Sequence, residues 1–118
     1  MRLLVFGQTG QVARELARVK PNARFLSRTE ADLTDPDACA RVIEQSNADA
    51  VINAAAYTAV DQAETDVKTA FLVNGASPTA MAEAAAAKDM PFVHISTDYV
   101  FNGQGTKLWA PDDPVAPL

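Results

Sequence analysis

Leu3-Leu4-Val5-Phe6-Gly7-Gln8-Thr9-Gly10-Gln11-Val12-Ala13 sets an apolar run directly against a glycine turn. Main-chain N–H groups in such a turn can receive the pyrophosphate of a dinucleotide. In that chemistry Gly7 supplies the backbone angles of a tight turn, and Gly10 lets the chain approach a phosphate closely. A helix beginning near Gln11 then aims its free N–H groups at the anion. The spacing is Gly-x-x-Gly-x-x-Ala rather than Gly-x-Gly-x-x-Gly, with Ala13 as the small residue where helix and strand pack. Two glycines also punctuate any short strand-to-helix turn, so the plain structural reading stays open.

Other candidate residues follow the later apolar runs. Where a dinucleotide would present its adenosine ribose, an acidic residue about 20 positions beyond the glycines selects a bare diol. This chain has Ser27-Arg28 there. A hydroxyl beside a guanidinium fork suits a 2′-phosphate, which favours NADPH over NADH. Glu30 is near enough to accept from the ribose instead, and Arg28 also reads as an ordinary solvated charge. Asp32-Leu33 pairs a carboxylate with an apolar side chain. The pair would bracket an adenine, or Asp32 would serve a turn ahead of the next helix. Asn53-Ala54-Ala55-Ala56 leaves room for a ligand, or simply starts a helix. Ser96-Thr97-Asp98-Tyr99-Val100-Phe101 gathers hydroxyls that could donate to a carbonyl as negative charge develops on it, or that cap the strand end and pack Tyr99 under a loop. The single histidine, His94, is expected to be a satisfied core or face residue outside the site. Phe101 and Trp109 are expected to form a small apolar patch.

The elements that must position these groups alternate in type. Leu3 to Phe6, Arg24 to Leu26, Ala50 to Ile52 and Phe92 to Ile95 read as strands separated by helical stretches, the mark of a parallel sheet with helices on both faces. The first helix is predicted over Gln11 to Val19, stopping before Pro21. Thr34-Asp35-Pro36-Asp37 predicts a capping box with proline in the first turn, opening a helix to about Gln45. The long middle segment predicts two helices, about Asp61 to Val73 and Pro78 to Lys88, broken at Asn74-Gly75 and restarted with Ser77 as cap. From Asn102 to Leu118 glycines, prolines and aspartates predict loop.

With 118 residues, 48% of them hydrophobic, the chain is about one domain in size. A formal charge of −5 argues against a nucleic-acid groove or an anionic membrane surface and for small-molecule partners. One cysteine, Cys39, supports neither a disulfide framework nor a zinc site, and no metal site is expected. Without a secretory leader pattern or a spanning apolar run, the expected setting is soluble and cytoplasmic.

Taken together, Phe6 to Val12, Asn53 to Glu64 and Ser96 to Phe101 closely resemble the extended short-chain dehydrogenase/reductase family. The resemblance implies a Rossmann-like, doubly wound α/β fold, incomplete at its C-terminal side. It also implies reduction of the 4-keto group of a dTDP-linked 6-deoxyhexulose to dTDP-L-rhamnose by NADPH or NADH, a step toward cell-surface polysaccharide. It sets no magnesium requirement. By the same likeness Gly7, Gln8, Thr9, Gly10, Gln11 and Val12 surround the pyrophosphate, and Asp32 and Leu33 meet the adenine. Ala54, Ala55 and Ala56, with Tyr57 beside them, line the ribose and nicotinamide, and Thr97 is the catalytic hydroxyl. The family's proton donor is a tyrosine in Tyr-x-x-x-Lys, but Tyr57 and Tyr99 are the only tyrosines here and neither has lysine four places on. The expectation is therefore a cofactor-binding part over residues 1–101, with 102–118 a loop leading toward the missing catalytic helix and substrate domain. Such a chain binds without turning over. A sheet ending at its fourth strand is expected to self-associate through the exposed edge. The chain also resembles the non-catalytic regulatory subunit of methionine adenosyltransferase, and other sugar-nucleotide reductases and epimerases share its motifs.

Overall fold

A computed structural model describes residues 1–118. Four parallel strands, β1 (Leu3–Phe6), β2 (Arg24–Leu26), β3 (Ala50–Asn53) and β4 (Phe92–His94), form one sheet in the order β2-β1-β3-β4. Leu3 to Phe6 is apolar without interruption because β1 is central and covered on both faces. Leu4 and Phe6 enter one core with Leu26, Cys39, Ile43, Val51, Met81 and Ala85, while Val5 is equally buried outside that cluster. The register aligns Val5 with Ile52 and Ile52 with Val93.

Helix α1 (Gln11–Val19) links β1 to β2, and α2 (Pro36–Gln45) links β2 back to β3. The chain moves outward in the first crossover and returns in the second, so right-handed connections put α1 and α2 on opposite faces. Asp35 caps α2, its carboxylate accepting from the Ala38 N–H at 2.9 Å, with Pro36 in the first turn. No reciprocal box forms, because Thr34 gives its hydroxyl to Asp32 at 2.8 Å instead. At the other end of α2 the Lys88 ammonium donates to the carbonyls of Ile43, Glu44 and Ser46 at 3.1, 2.8 and 2.7 Å, satisfying orphan acceptors where a cation is favoured.

The middle segment departs from its predicted form. Helix α3 (Val60–Ala63) is one short turn, and α4 (Val67–Phe71) runs through a π-turn (Leu72–Ala76) into α5 (Ser77–Ala86). Asn74-Gly75 therefore does not break the helix. Pro78 lacks the N–H that would continue an ordinary ladder, and the wider π-turn lies just before it. The Thr79 hydroxyl donates to the Gly75 carbonyl at 3.0 Å. Ser77 is not a cap either. It is fully buried and donates to the Leu33 carbonyl at 2.6 Å, tying α5 to the approach of α2. The small side chains of α5 let it pack closely on α2, with Ala85 fully buried and Ala84 nearly so.

Beyond β4 a short 3₁₀ turn spans Asp98–Val100, and 102–118 has no regular structure. The tail is nonetheless pinned. The Ala116 N–H reaches the Val100 carbonyl at 2.9 Å, and Phe101 stacks on Trp109 with centroids 4.7 Å apart. The edge strand is poorly covered, with Val93 53% exposed and Ile95, just past its end, 49% exposed. No helix is long and apolar enough to cross a membrane.

Candidate functional site

The strands all run the same way, so the segments following each of them gather at one carboxyl edge of the sheet, the edge where such sheets bind ligands. Gly7 leaves β1 with φ +104°, a conformation that side chains resist. Its N–H bonds the Leu26 carbonyl at 3.2 Å, holding the turn to the end of β2. A Cβ at Gly7 would sit 3.2 Å from the Ala54 carbonyl carbon and oxygen and 3.3 Å from the Ala55 nitrogen. The glycine turn and the Ala54–Ala56 segment are thus in main-chain contact. Gly10 has an ordinary extended backbone, φ −69°, and a Cβ there would meet only the Ala54 oxygen at 3.9 Å. Gly10 is thus not required for its backbone angle, and its surroundings are open.

Around this turn the main chain is unspent. Neither the turn nor the first turn of α1 provides an acceptor for the N–H groups of Gln8, Thr9, Gly10, Gln11, Val12 or Ala13, and no side chain caps α1. Such a concentration of outward donors at a helix N-terminus favours an anion of phosphate type. Ala13 is fully buried, so the third small position packs against the sheet as the spacing requires. A dinucleotide diphosphate fits this donor set. An apolar groove of about 390 Å³ runs along α1 past Val12, Leu16 and Val19. It starts at Gln11 and Val12, which also belong to the donor run, and continues along the helix away from the glycine turn.

At the end of β2, Ser27 gives both its N–H and its hydroxyl to one Glu30 oxygen, at 2.9 and 3.0 Å. These donors hold the Glu30 carboxyl below its usual range. Glu30, the alternative ribose acceptor, is therefore engaged within its own turn, while Arg28 is exposed and makes no ion pair. The Asp32 carboxylate accepts from the Thr34 N–H at 2.9 Å and from its hydroxyl at 2.8 Å, which lowers the Asp32 pKa. It forms the turn ahead of α2 that its sequence position also suggested. Leu33, 8% exposed, sits in the core with Cys39 and Ile43.

Tyr57 is strapped down by a residue that the Asn-Gly signal had marked only as a break. Asn74 accepts from the Tyr57 N–H at 2.8 Å and donates to the Tyr57 carbonyl at 3.0 Å. The phenol donates to Asp66 at 3.3 Å, and desolvation followed by that carboxylate's charge raises the Tyr57 pKa. The phenol is held protonated rather than activated. Thr97 caps the 3₁₀ turn, accepting from the Tyr99 N–H at 3.3 Å and donating to Asp98 at 3.3 Å. It is exposed, as are Ser96, Asp98 and Tyr99. His94, expected to be a satisfied core or face residue, is an exposed face residue of the edge strand, its ring stacked on Phe92. No cluster of three or more His, Cys, Asp or Glu side chains is placed to hold a metal ion.

The chain as a whole is similar to proteins of known name and structure. A dTDP-4-dehydrorhamnose reductase from Burkholderia thailandensis is 46% identical over all of this chain, which spans 41% of that protein's length. A crystal structure of a dTDP-4-dehydrorhamnose reductase from Clostridium acetobutylicum superposes with a TM-score of 0.89 at 32% identity, over 99% of this chain and 43% of that one. The Bacillus anthracis reductase, solved in complex with NADP, gives 0.87 at 28% identity over 98% of this chain and 43% of that one. The family model described as the RmlD substrate binding domain matches residues 1–118, and the chain belongs to that family.

Proposed function

We propose that these residues are the cofactor-binding part of an NAD(P)H-dependent dTDP-4-dehydrorhamnose reductase, which reduces the 4-keto group of dTDP-4-dehydro-L-rhamnose to dTDP-L-rhamnose. The observation that carries this reading is the run of uncommitted main-chain N–H groups from Gln8 to Ala13 beside the positive-φ Gly7. Its relatives' names and the NADP in the Bacillus anthracis structure support it. In this reading Gly7 to Val12 surround the diphosphate, Asp32 and Leu33 lie toward the adenine, and Ala54, Ala55, Ala56 and Tyr57 border the ribose and nicotinamide. The unpaired Arg28, with Ser27 beside it, faces the 2′-phosphate, so NADPH binds more tightly than NADH.

The nicotinamide, when bound, supplies hydride. The Thr97 hydroxyl turns from Asp98 to the substrate carbonyl oxygen and stabilises the charge that grows there. Neither tyrosine is a competent proton donor: the fourth residue after Tyr57 is Asp61 and after Tyr99 is Gly103, so no ammonium lowers either phenol. Residues 1–101 form the binding unit and 102–118 the segment beyond it. The exposed Val93 on the edge strand and Ile95 just past it drive self-association of the isolated chain, which light scattering would reveal as a mass rising with concentration.

The decisive assay follows NADPH oxidation with the keto sugar nucleotide. The expected result is binding without turnover by the 118-residue polypeptide. A longer protein sharing these residues and carrying Tyr-x-x-x-Lys should turn over, and Thr97→Val in it should lower kcat about 100-fold. Turnover by the short chain, or an inactive longer protein, overturns the assignment.

A further inference from the structure

Resting on that reading of the site, we infer that Asn53 and His94 are a positioning pair for the cofactor loop, with the imidazole held as its Nε2–H tautomer. Asn53 closes β3 and is 1% exposed, and His94 is its register partner on β4. The Asn53 Oδ1 accepts from the Ala55 N–H at 3.1 Å. A main-chain N–H can be met only by the oxygen of the amide, so Nδ2 is turned toward the ring and lies 3.2 Å from His94 Nδ1. An amide nitrogen only donates, so Nδ1 must offer its lone pair and the ring proton resides on Nε2. Stacking of the ring on Phe92, at 6.3 Å and 7°, limits its rotation.

Each link fixes the next. The Ala55 N–H orients the Asn53 amide, and the amide selects the histidine tautomer. Ala55 belongs to the segment against which Gly7 is packed, while β4 leads directly to Thr97. The pair therefore ties the wall of the cofactor site to the strand that carries the substrate-facing hydroxyl. Removing His94 leaves the buried Asn53 Nδ2 without its acceptor, and removing Asn53 leaves the Ala55 N–H without one, the situation folded proteins avoid.

Because the chain has a single histidine, two-bond ¹H–¹⁵N correlation spectra of labelled protein report on His94 alone. The neutral ring should show the Nε2–H pattern. In Asn53→Asp, whose carboxylate accepts from both sides, the proton should move to Nδ1. Amide hydrogen exchange at Ala55 should quicken about tenfold in His94→Phe and return toward the parent rate in His94→Gln, whose side-chain oxygen can accept from Nδ2. NADPH affinity should follow the same order, about tenfold weaker in the phenylalanine variant and restored by glutamine. A residue acting only through its packing would show the reverse order, since phenylalanine keeps the ring and glutamine does not. An Nδ1–H tautomer in the parent, indifference of the tautomer to Asn53→Asp, or that reversed order overturns the proposal. If the parent chain binds no NADPH, the cofactor assignment fails, while the tautomer and the Ala55 exchange still decide the pair.

Discussion

The two ends of this chain meet the same sheet edge with different materials. At the amino end the turn after β1 is made of main chain, held to β2 by the Gly7 N–H and braced against Ala54. At the carboxyl end the candidate chemistry is made of side chains just past an exposed edge strand, where the Thr97 side chain bonds only to its own neighbours, Asp98 and Tyr99. The first region is fixed by its own main-chain contacts and leaves its N–H groups from Gln8 to Ala13 free. The second has a hydroxyl whose partners are local and weakly held. On the proposed reading, binding and chemistry are therefore separable: the main-chain turn would serve the first and the Thr97 hydroxyl the second.

That contrast can be broken most severely at Gly7. Any Cβ there confronts both positive φ and the Ala54 backbone at 3.2 Å, so Gly7→Val should cost about 2–4 kcal/mol and abolish NADPH binding. Denaturant melts and calorimetry check both effects. Gly10→Ala should leave the melt unchanged and weaken only binding, because its backbone is ordinary and its surroundings open. Ser77→Ala tests the support beneath the Asp32–Leu33 turn. Losing the buried donor to the Leu33 carbonyl should cost about 1–3 kcal/mol in the same melts.

Thr97→Val sharpens the comparison from the other side. Its exposure and local bonding predict an NADPH affinity within about twofold of the parent, since the hydroxyl does not build the grip. A large loss of affinity would erase the proposed separation. The smallest effect belongs to the amino-terminal clasp far from the site, where Asp49 accepts from both the Arg2 N–H and its guanidinium. Those bonds lower the Asp49 pKa to about 2. A carboxyl depressed in the folded state stabilises it above the unfolded value, and that contribution is lost as the pH falls toward about 2. Asp49→Asn should remove this part of the acid dependence of stability, weakly and less so in high salt, because both partners are solvated.

Legibility in the sequence followed the range of the interactions. Leu3–Phe6, Gln11–Val19 and Arg24–Leu26 form as predicted, because an apolar run, a glycine turn and a following proline act locally. Asp35 and Pro36 announced α2 in the same way. The tight turn after β1 was legible because positive φ at Gly7 excludes most other residues. The helix through Asn74-Gly75 was not, since a local break signal was overruled by Ser77 reaching Leu33 and by Asn74 holding Tyr57, contacts made far along the chain. His94 lies on a face of the sheet rather than in the core, consistent with a satisfied face residue, because β4 is the edge strand and the ring meets Asn53 and Phe92. The Asn53–His94 bond was invisible because only the register of β3 on β4 brings the two side chains together.

The central claim is that bare main-chain amides at the amino end grip a dinucleotide through its diphosphate. Titrating ¹⁵N-labelled chain with NADPH and following each amide tests it directly. The account predicts saturable shifts concentrated at Gln8 through Ala13, with smaller ones at Ala54 to Ala56. No saturable shift at those amides, or shifts confined to other parts of the chain, would contradict it.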